Sequence, residues 1–159
     1  MATIAEKQAF IQKVWDAIQG MDLQGFFPSV LIAQAALESN WGLSSLAAKH
    51  NNYFGIKAGS SWKGETVNMK TGEVFNGQNV TINSNFRAYD SLADSIKDRN
   101  ALLANNSRYK AALTAKTPQE QVQAIKDGGY ATALNYVDAV MNTVKANDLL
   151  KFDNLKKKS

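Results

Sequence analysis

Acid–base chemistry in this chain has few possible carriers. There is no cysteine and one histidine, His50. Thiolate nucleophiles, disulfides, iron–sulfur clusters and cysteine zinc sites are therefore excluded, and a multi-histidine metal site is impossible. A Ser-His-Asp arrangement would have to use that one imidazole. Carboxylates, tyrosines and lysines remain. Most of the 14 acidic residues sit among polar neighbours, where a solvated surface charge is the plain reading. Glu38 differs. It follows Ala35-Ala36-Leu37 at the end of an apolar stretch and is flanked by Trp41. Lost hydration there disfavours the anion and raises the pKa, which suits a general acid at neutral pH. The competing reading is an ordinary glutamate at a helix C-terminus, poorly placed against the helix dipole.

A second grouping, Asn51-Asn52-Tyr53-Phe54-Gly55-Ile56-Lys57, brings amides, aromatic rings and a glycine together. A sugar-binding cleft needs fixed hydrogen bonds and flat apolar platforms, and these residue types supply both. Trp62 and Tyr130 extend the set. Each aromatic taken singly also fits a core position. No cluster of ligand types appears, so neither a metal nor another cofactor is expected.

Helices must position these groups. Ile11, Val14, Trp15 and Ile18 form one apolar stripe at helical spacing, ending near Gly20. Pro28 suits a first helical position. Val30 to Leu37 is apolar nearly all round, as a core helix is, and Glu38 stands at its end. Residues 44–50 allow a short helix. From Trp62 to Phe86 the texture changes. Val80, Ile82 and Phe86 alternate with polar residues, and Thr71-Gly72 and Asn76-Gly77 read as turns. This predicts two or three short antiparallel strands. Helices then return. Leu92, Ile96 and Leu103 mark one, Thr117-Pro118-Gln119-Glu120 opens another with a capping box, and Val137, Val140, Met141 and Val144 form a last stripe. The expected architecture is α+β, mainly α: one domain over residues 1–150, then a Lys-rich tail over 151–159.

With 159 residues, 45% hydrophobic and 20% charged, the chain has a globular composition. The formal charge is +4, and Lys156, Lys157 and Lys158 carry three of those charges. The near-neutral body is not that of a nucleic-acid binder. No apolar run approaches the roughly 20 residues that cross a bilayer, so membrane insertion is not expected. The first residues lack the basic start and apolar stretch of a signal peptide. Synthesis in the cytoplasm without a leader is expected, unless a leader has been removed from this chain.

The stretch Ala33-Gln34-Ala35-Ala36-Leu37-Glu38-Ser39-Asn40-Trp41-Gly42 resembles the signature of the peptidoglycan N-acetylglucosaminidases of glycoside hydrolase family 73. Further blocks follow in the same order. They are Asn52-x-Phe54-Gly55-Ile56-Lys57, Trp62-Lys63-Gly64, Phe86-Arg87-x-Tyr89-x-Ser91 and Gly129-Tyr130-Ala131-Thr132-x-x-x-Tyr136. The resemblance runs from about residue 8 to residue 148. It implies a lysozyme-like fold with a helical lobe and a small antiparallel β-hairpin lobe. It also implies cleavage of the β-1,4 bond from N-acetylglucosamine to N-acetylmuramic acid, with Glu38 as general acid. Glu73 fits the second carboxylate, Glu65 is the fallback, and Tyr130 matches a tyrosine near the reacting sugar. Asn52, Tyr53, Phe54, Trp62 and Tyr136 are the expected substrate-binding residues. One departure stands out: Ala133-Leu134 replaces the usual Asp-Pro. Two alternatives follow: a muramidase or lytic transglycosylase cutting the other bond, and a non-catalytic wall-binding or assembly module. The expected partner is the glycan strand of peptidoglycan, met by a monomer acting on the bacterial wall as a phage lysin or injection-device cargo.

Overall fold

The computed structural model describes residues 1–155, apart from the side chain of Glu73. The expected tail lysines, Lys156 to Lys158, lie outside the described residues. Helix α1 (Ile4–Ala17) opens at Thr3, whose hydroxyl accepts the Glu6 N–H at 3.1 Å while the Glu6 carboxylate accepts the Thr3 N–H at 2.9 Å. This reciprocal capping box satisfies two of the donors that a helix start leaves open. Helix α2 (Pro28–Ser39) begins at its proline as the sequence predicts, and α3 (Ser45–His50) is short. Val30, Leu31, Ile32, Ala33, Ala35 and Ala36 of α2 are buried. Full burial of a Val, Leu or Ile side chain contributes roughly 1.5–3 kcal/mol, so α2 is the axis about which the helical lobe packs.

Strands β1 (Thr66–Phe75) and β2 (Gln78–Arg87) pair antiparallel in one continuous register, from Thr66 opposite Arg87 to Phe75 opposite Gln78. Asn76 (φ 50°) and Gly77 (φ 78°) make the turn, with the two positive φ angles a tight hairpin connection of this kind requires. The second expected turn is corrected. Thr71 and Gly72 lie within β1, opposite Ile82 and Thr81. No Asn or Asp precedes Gly72 to favour a left-handed bend, and the ladder continues through it. On β2, Phe86 is buried and Val80 and Ile82 are half-buried, while Asn79, Thr81, Asn83 and Asn85 face solvent. A single bridge between Lys57 and Phe86 is all there is of a third strand among the described residues.

Helix α4 (Leu92–Ala104) follows, capped by Ser91. A 3₁₀ turn (Ser107–Tyr109) leads into α5 (Lys110–Leu113) and α6 (Pro118–Asp127). The Thr117 hydroxyl caps α6 through the Glu120 N–H at 3.1 Å, but the Glu120 carboxylate returns to the Lys116 N–H at 3.2 Å, leaving the box half closed. Helix α7 (Tyr136–Ala146) carries the last apolar stripe and packs on α2. A final turn, α8 (Lys151–Asn154), takes the packed structure past the boundary expected at residue 150. Phe152 is buried with its ring 5.0 Å from that of Trp15, and Asp153 accepts the Ser29 N–H at 2.8 Å and its hydroxyl at 2.6 Å. The lysine-rich composition masked that one aromatic anchor. Among the described residues, no helix is long and apolar enough to cross a membrane.

Candidate active site

Glu38 is the penultimate residue of α2. Behind it the chain turns through two left-handed residues, Asn40 (φ 49°) and Trp41 (φ 57°). The Ser39 hydroxyl fixes this turn, donating to the Ala35 carbonyl at 2.6 Å and accepting the Gly42 N–H at 2.8 Å. The helix body is immobilised in the core, while Glu38 itself reaches the surface. Its carboxyl is nonetheless surrounded by enough protein to lose hydration, and this desolvation raises its pKa above the ordinary carboxylate value. The loop after α3 passes close by: a Cβ on Gly55 (φ +66°) would stand 3.6 Å from Glu38 Oε2. Glycine suits both the positive φ and the close approach of backbone to the acid.

Two phenols lie behind the acid. The Tyr136 hydroxyl accepts the Gln34 Nε2–H at 2.7 Å, and the rings of Tyr130 and Tyr136 are 6.3 Å apart. Tyr130 Oη is buried without a hydrogen-bond partner. Burial, reinforced by the Glu38 charge, pushes Tyr136 up to about 12 and raises Tyr130 too, so both are neutral hydroxyls at physiological pH.

Four of the residues expected at the substrate are internal: Tyr136, 8% exposed, and three on the loop after α3. Asn52, Tyr53 and Phe54 are 1%, 2% and 3% exposed. Asn52 donates to the Ile56 and Arg87 carbonyls (3.0 and 2.8 Å) and accepts from the Phe54 and Ile56 N–H groups. Its amide is consumed holding an irregular loop whose backbone has no ladder partners. The Tyr53 hydroxyl accepts from Lys13 at 3.1 Å, and Phe54 packs into the core. These residues build the loop that brings Gly55 to Glu38.

Trp62 is half-buried at the root of the hairpin. Its Nε1–H donates to the Glu65 carbonyl at 2.9 Å, and its ring meets Tyr89 at 5.6 Å and the Arg87 guanidinium at 4.6 Å. Asp98 ties this root to α4, accepting from Arg87 at 2.9 Å and from the Tyr89 hydroxyl at 2.5 Å. A hollow of about 380 Å³ opens there, lined by Trp62, Glu65, Tyr89, Asp90, Asp94 and Asp98. Glu38 does not line it, so Glu65 and Trp62 share a concavity that the acid does not enter. The backbone of Glu73 lies in β1 opposite Val80, and its side chain is outside the described residues. Among the described residues, no group of three or more potential ligands is placed to hold a metal ion.

The sequence reading overlooked Gln34 and Arg99. Arg99 is fully buried in α4 and donates to Gln34 Oε1 and, at 2.7 Å, to Asn100 Oδ1. Its signal was its place on the stripe of Leu92, Ile96 and Leu103, where an apolar residue belongs.

An acid whose pKa is raised by desolvation, open on one side to a ligand and backed by neutral phenols, can protonate a leaving oxygen. Residues 14–149 match the family model described as mannosyl-glycoprotein endo-β-N-acetylglucosaminidase. The exo-glucosaminidase LytG of Bacillus subtilis is 38% identical over 156 residues, covering 94% of this chain and 55% of that protein. The peptidoglycan hydrolase FlgJ of Escherichia coli is 34% identical over 145 residues, covering 88% of this chain and 46% of that protein. The chain thus spans about half the length of these relatives. The catalytic domain of the autolysin Auto from Listeria monocytogenes superposes with a TM-score of 0.81 at 36% identity, covering 96% of this chain and 90% of that one.

Proposed function

Since the chain belongs to the glucosaminidase family, we propose that it hydrolyses the β-1,4 bond between N-acetylglucosamine and N-acetylmuramic acid in bacterial cell-wall peptidoglycan. The observation that carries this reading is Glu38, a surface-reaching carboxyl whose desolvation raises its pKa at the rigid end of a buried helix. Glu38 protonates the glycosidic oxygen as the bond from the anomeric carbon to that oxygen breaks. The positive sugar carbon is then met by water on its other face, or first by the oxygen of its own 2-acetamido group. Glu73 is the carboxylate assigned to activate the water, because its strand stands on the hairpin lobe. Glu65 is the alternative. Tyr130 is assigned to the reacting sugar, because its hydroxyl is buried without a protein partner beside Tyr136. Trp62 and Tyr136 are assigned to the substrate side, and the working unit is a monomer acting on the wall.

Reducing-end analysis of digested peptidoglycan tests the bond. New N-acetylglucosamine ends are expected. A second reading has a specific motive, because a relative from Lactococcus lactis, 36% identical over 154 residues, is named a probable N-acetylmuramidase. New muramic acid or anhydromuramic acid ends would establish that reading and overturn the first. Binding to the wall without release of soluble fragments would overturn both.

A further inference from the structure

Arg99 is a buried cation without an anionic partner among the described residues. It is 0% exposed, its guanidinium faces the rings of Phe26 (4.6 Å) and Phe54 (5.7 Å), and its Nε has no hydrogen-bond partner. Burial lowers its pKa to about 10, which leaves it charged at neutral pH. Holding such a charge in a core is costly, and an apolar residue at the same place would often be better for stability. The arrangement therefore calls for an explanation other than stability.

Hydrogen-bond direction supplies one. Arginine carries donors only, so Gln34 must turn its carbonyl oxygen to Arg99 and its NH₂ the other way. That NH₂ meets the Tyr136 hydroxyl at 2.7 Å, and the hydroxyl oxygen must accept. Tyr136 thus keeps its own hydrogen for another acceptor. Gln34 and Glu38 are four residues apart on α2, one turn apart on one helix face. The Tyr136 hydroxyl held by Gln34 therefore lies about one helical turn from the acid along α2. Without Arg99 the Gln34 amide is free to flip and offer its oxygen, and the Tyr136 O–H would be spent on it.

We propose that Arg99 and Gln34 are positioning residues that commit the Tyr136 hydroxyl as hydrogen-bond donor to the Glu38 carboxylate as that carboxylate forms. This rests on the reading of Glu38 as general acid. In the step, the Glu38 O–H bond breaks as the proton joins the glycosidic oxygen, and the electron pair of the severed carbon–oxygen bond stays with that oxygen. Tyr136 gives up no proton. Its hydrogen bond stabilises the anion that Glu38 has become.

Gln34→Glu separates this role from a structural one. It supplies Arg99 with a carboxylate of the same shape but has no N–H, so Tyr136 must donate to residue 34. Wild type, Gln34→Glu, Tyr136→Phe and the double variant are compared by thermal melting and by kcat and KM on soluble peptidoglycan fragments across pH. Gln34→Glu should melt at or above wild type while kcat falls about tenfold to a hundredfold, the size of a lost hydrogen bond to a charge. KM should stay within about twofold. Tyr136→Phe should show the same fall, and the double variant should be no worse than Tyr136→Phe alone. The alkaline limb of the pH profile should move upward in Tyr136→Phe, because a carboxylate that loses a donor holds its proton to higher pH. Folded Gln34→Glu or Tyr136→Phe with wild-type kcat and an unmoved limb overturns the proposal while leaving Glu38 as the acid. If Gln34→Glu does not fold, the single-atom change Tyr136→Phe decides alone. A wild type that releases no fragments overturns the general-acid reading, and the proposal with it.

Discussion

Replacing Gln121 by leucine should be among the most damaging changes outside the site. Gln121 is fully buried in α6, and its one amide satisfies three backbone groups from two separate segments. Its Oε1 accepts the Phe27 N–H at 2.9 Å, and its Nε2 donates to the Gly25 carbonyl at 2.9 Å and to the Ala112 carbonyl at 2.8 Å. The first two contacts hold the bend that launches α2, the helix that carries Glu38. Leucine matches the volume and leaves the buried Ala112 carbonyl and the partly exposed Phe27 N–H and Gly25 carbonyl without their protein partner. A buried loss costs about 1–3 kcal/mol and a partly exposed one, which water can meet, costs less, so Gln121→Leu should cost about 3–5 kcal/mol. Typical domains hold only about 5–15 kcal/mol in all. At roughly 2–4 °C per kcal/mol for a domain of this size, the melting temperature should fall by about 10–20 °C. Gln123→Leu is the control, because Gln123 is exposed and bonds only to Asp127, four residues on. Its cost should stay within about 0.5 kcal/mol. Urea unfolding of both variants decides. A Gln121→Leu protein within 1 kcal/mol of wild type would refute the claim that this amide holds the bend.

Other changes have defined outcomes. Gly42→Ala should destabilise by about 1–3 kcal/mol, because φ is +80° there and the new Cβ would stand 2.9 Å from the Phe10 ring; an unchanged melting temperature would contradict the geometry. The Asp153 carboxyl is raised by burial despite the opposing hydrogen bonds from Ser29. The folded state therefore binds this proton more tightly than the unfolded state, and stability falls as pH rises from the ordinary Asp value of 3.8 through the raised one. Melts of Asp153→Asn across that window should lack this decline, and a parallel pH dependence in both proteins would sink the assignment. In wall-lysis assays, Glu73→Gln should be impaired with residual turnover and Glu65→Gln near normal; the reverse pattern would move the second carboxylate to Glu65.

The helical lobe was legible because its signals are local. The stripe from Ile11 to Ile18, the apolar run before Glu38 and the Thr117-Pro118 start need only neighbours in sequence to be read. Asn76-Gly77 was legible for the same reason, and Thr71-Gly72 misled because glycine also serves inside a ladder. The raised pKa of Glu38 could be anticipated from the alanines and leucine before it. What lay beyond reach was the destination of long-range hydrogen bonds. Asn52 has the right chemistry for a sugar, yet its amide closes its own loop. Gln34, Gln121 and Arg99 look like polar interruptions of helices, and their long-range partners are 65 to 102 residues away. Spacing along a helix shows which face a residue shares and says nothing of what waits opposite.

Release of soluble fragments from purified peptidoglycan by folded Glu38→Gln tests the central claim most directly. Glutamine keeps the shape of Glu38 and removes the proton, and the loss of a general acid typically costs about 10²–10⁴ in rate. With a poor leaving group the upper end is expected, at a melting temperature equal to or above that of wild type, because a desolvated carboxyl has been replaced by a neutral amide. Near wild-type release from a folded Glu38→Gln protein would contradict the assignment of Glu38 as the acid.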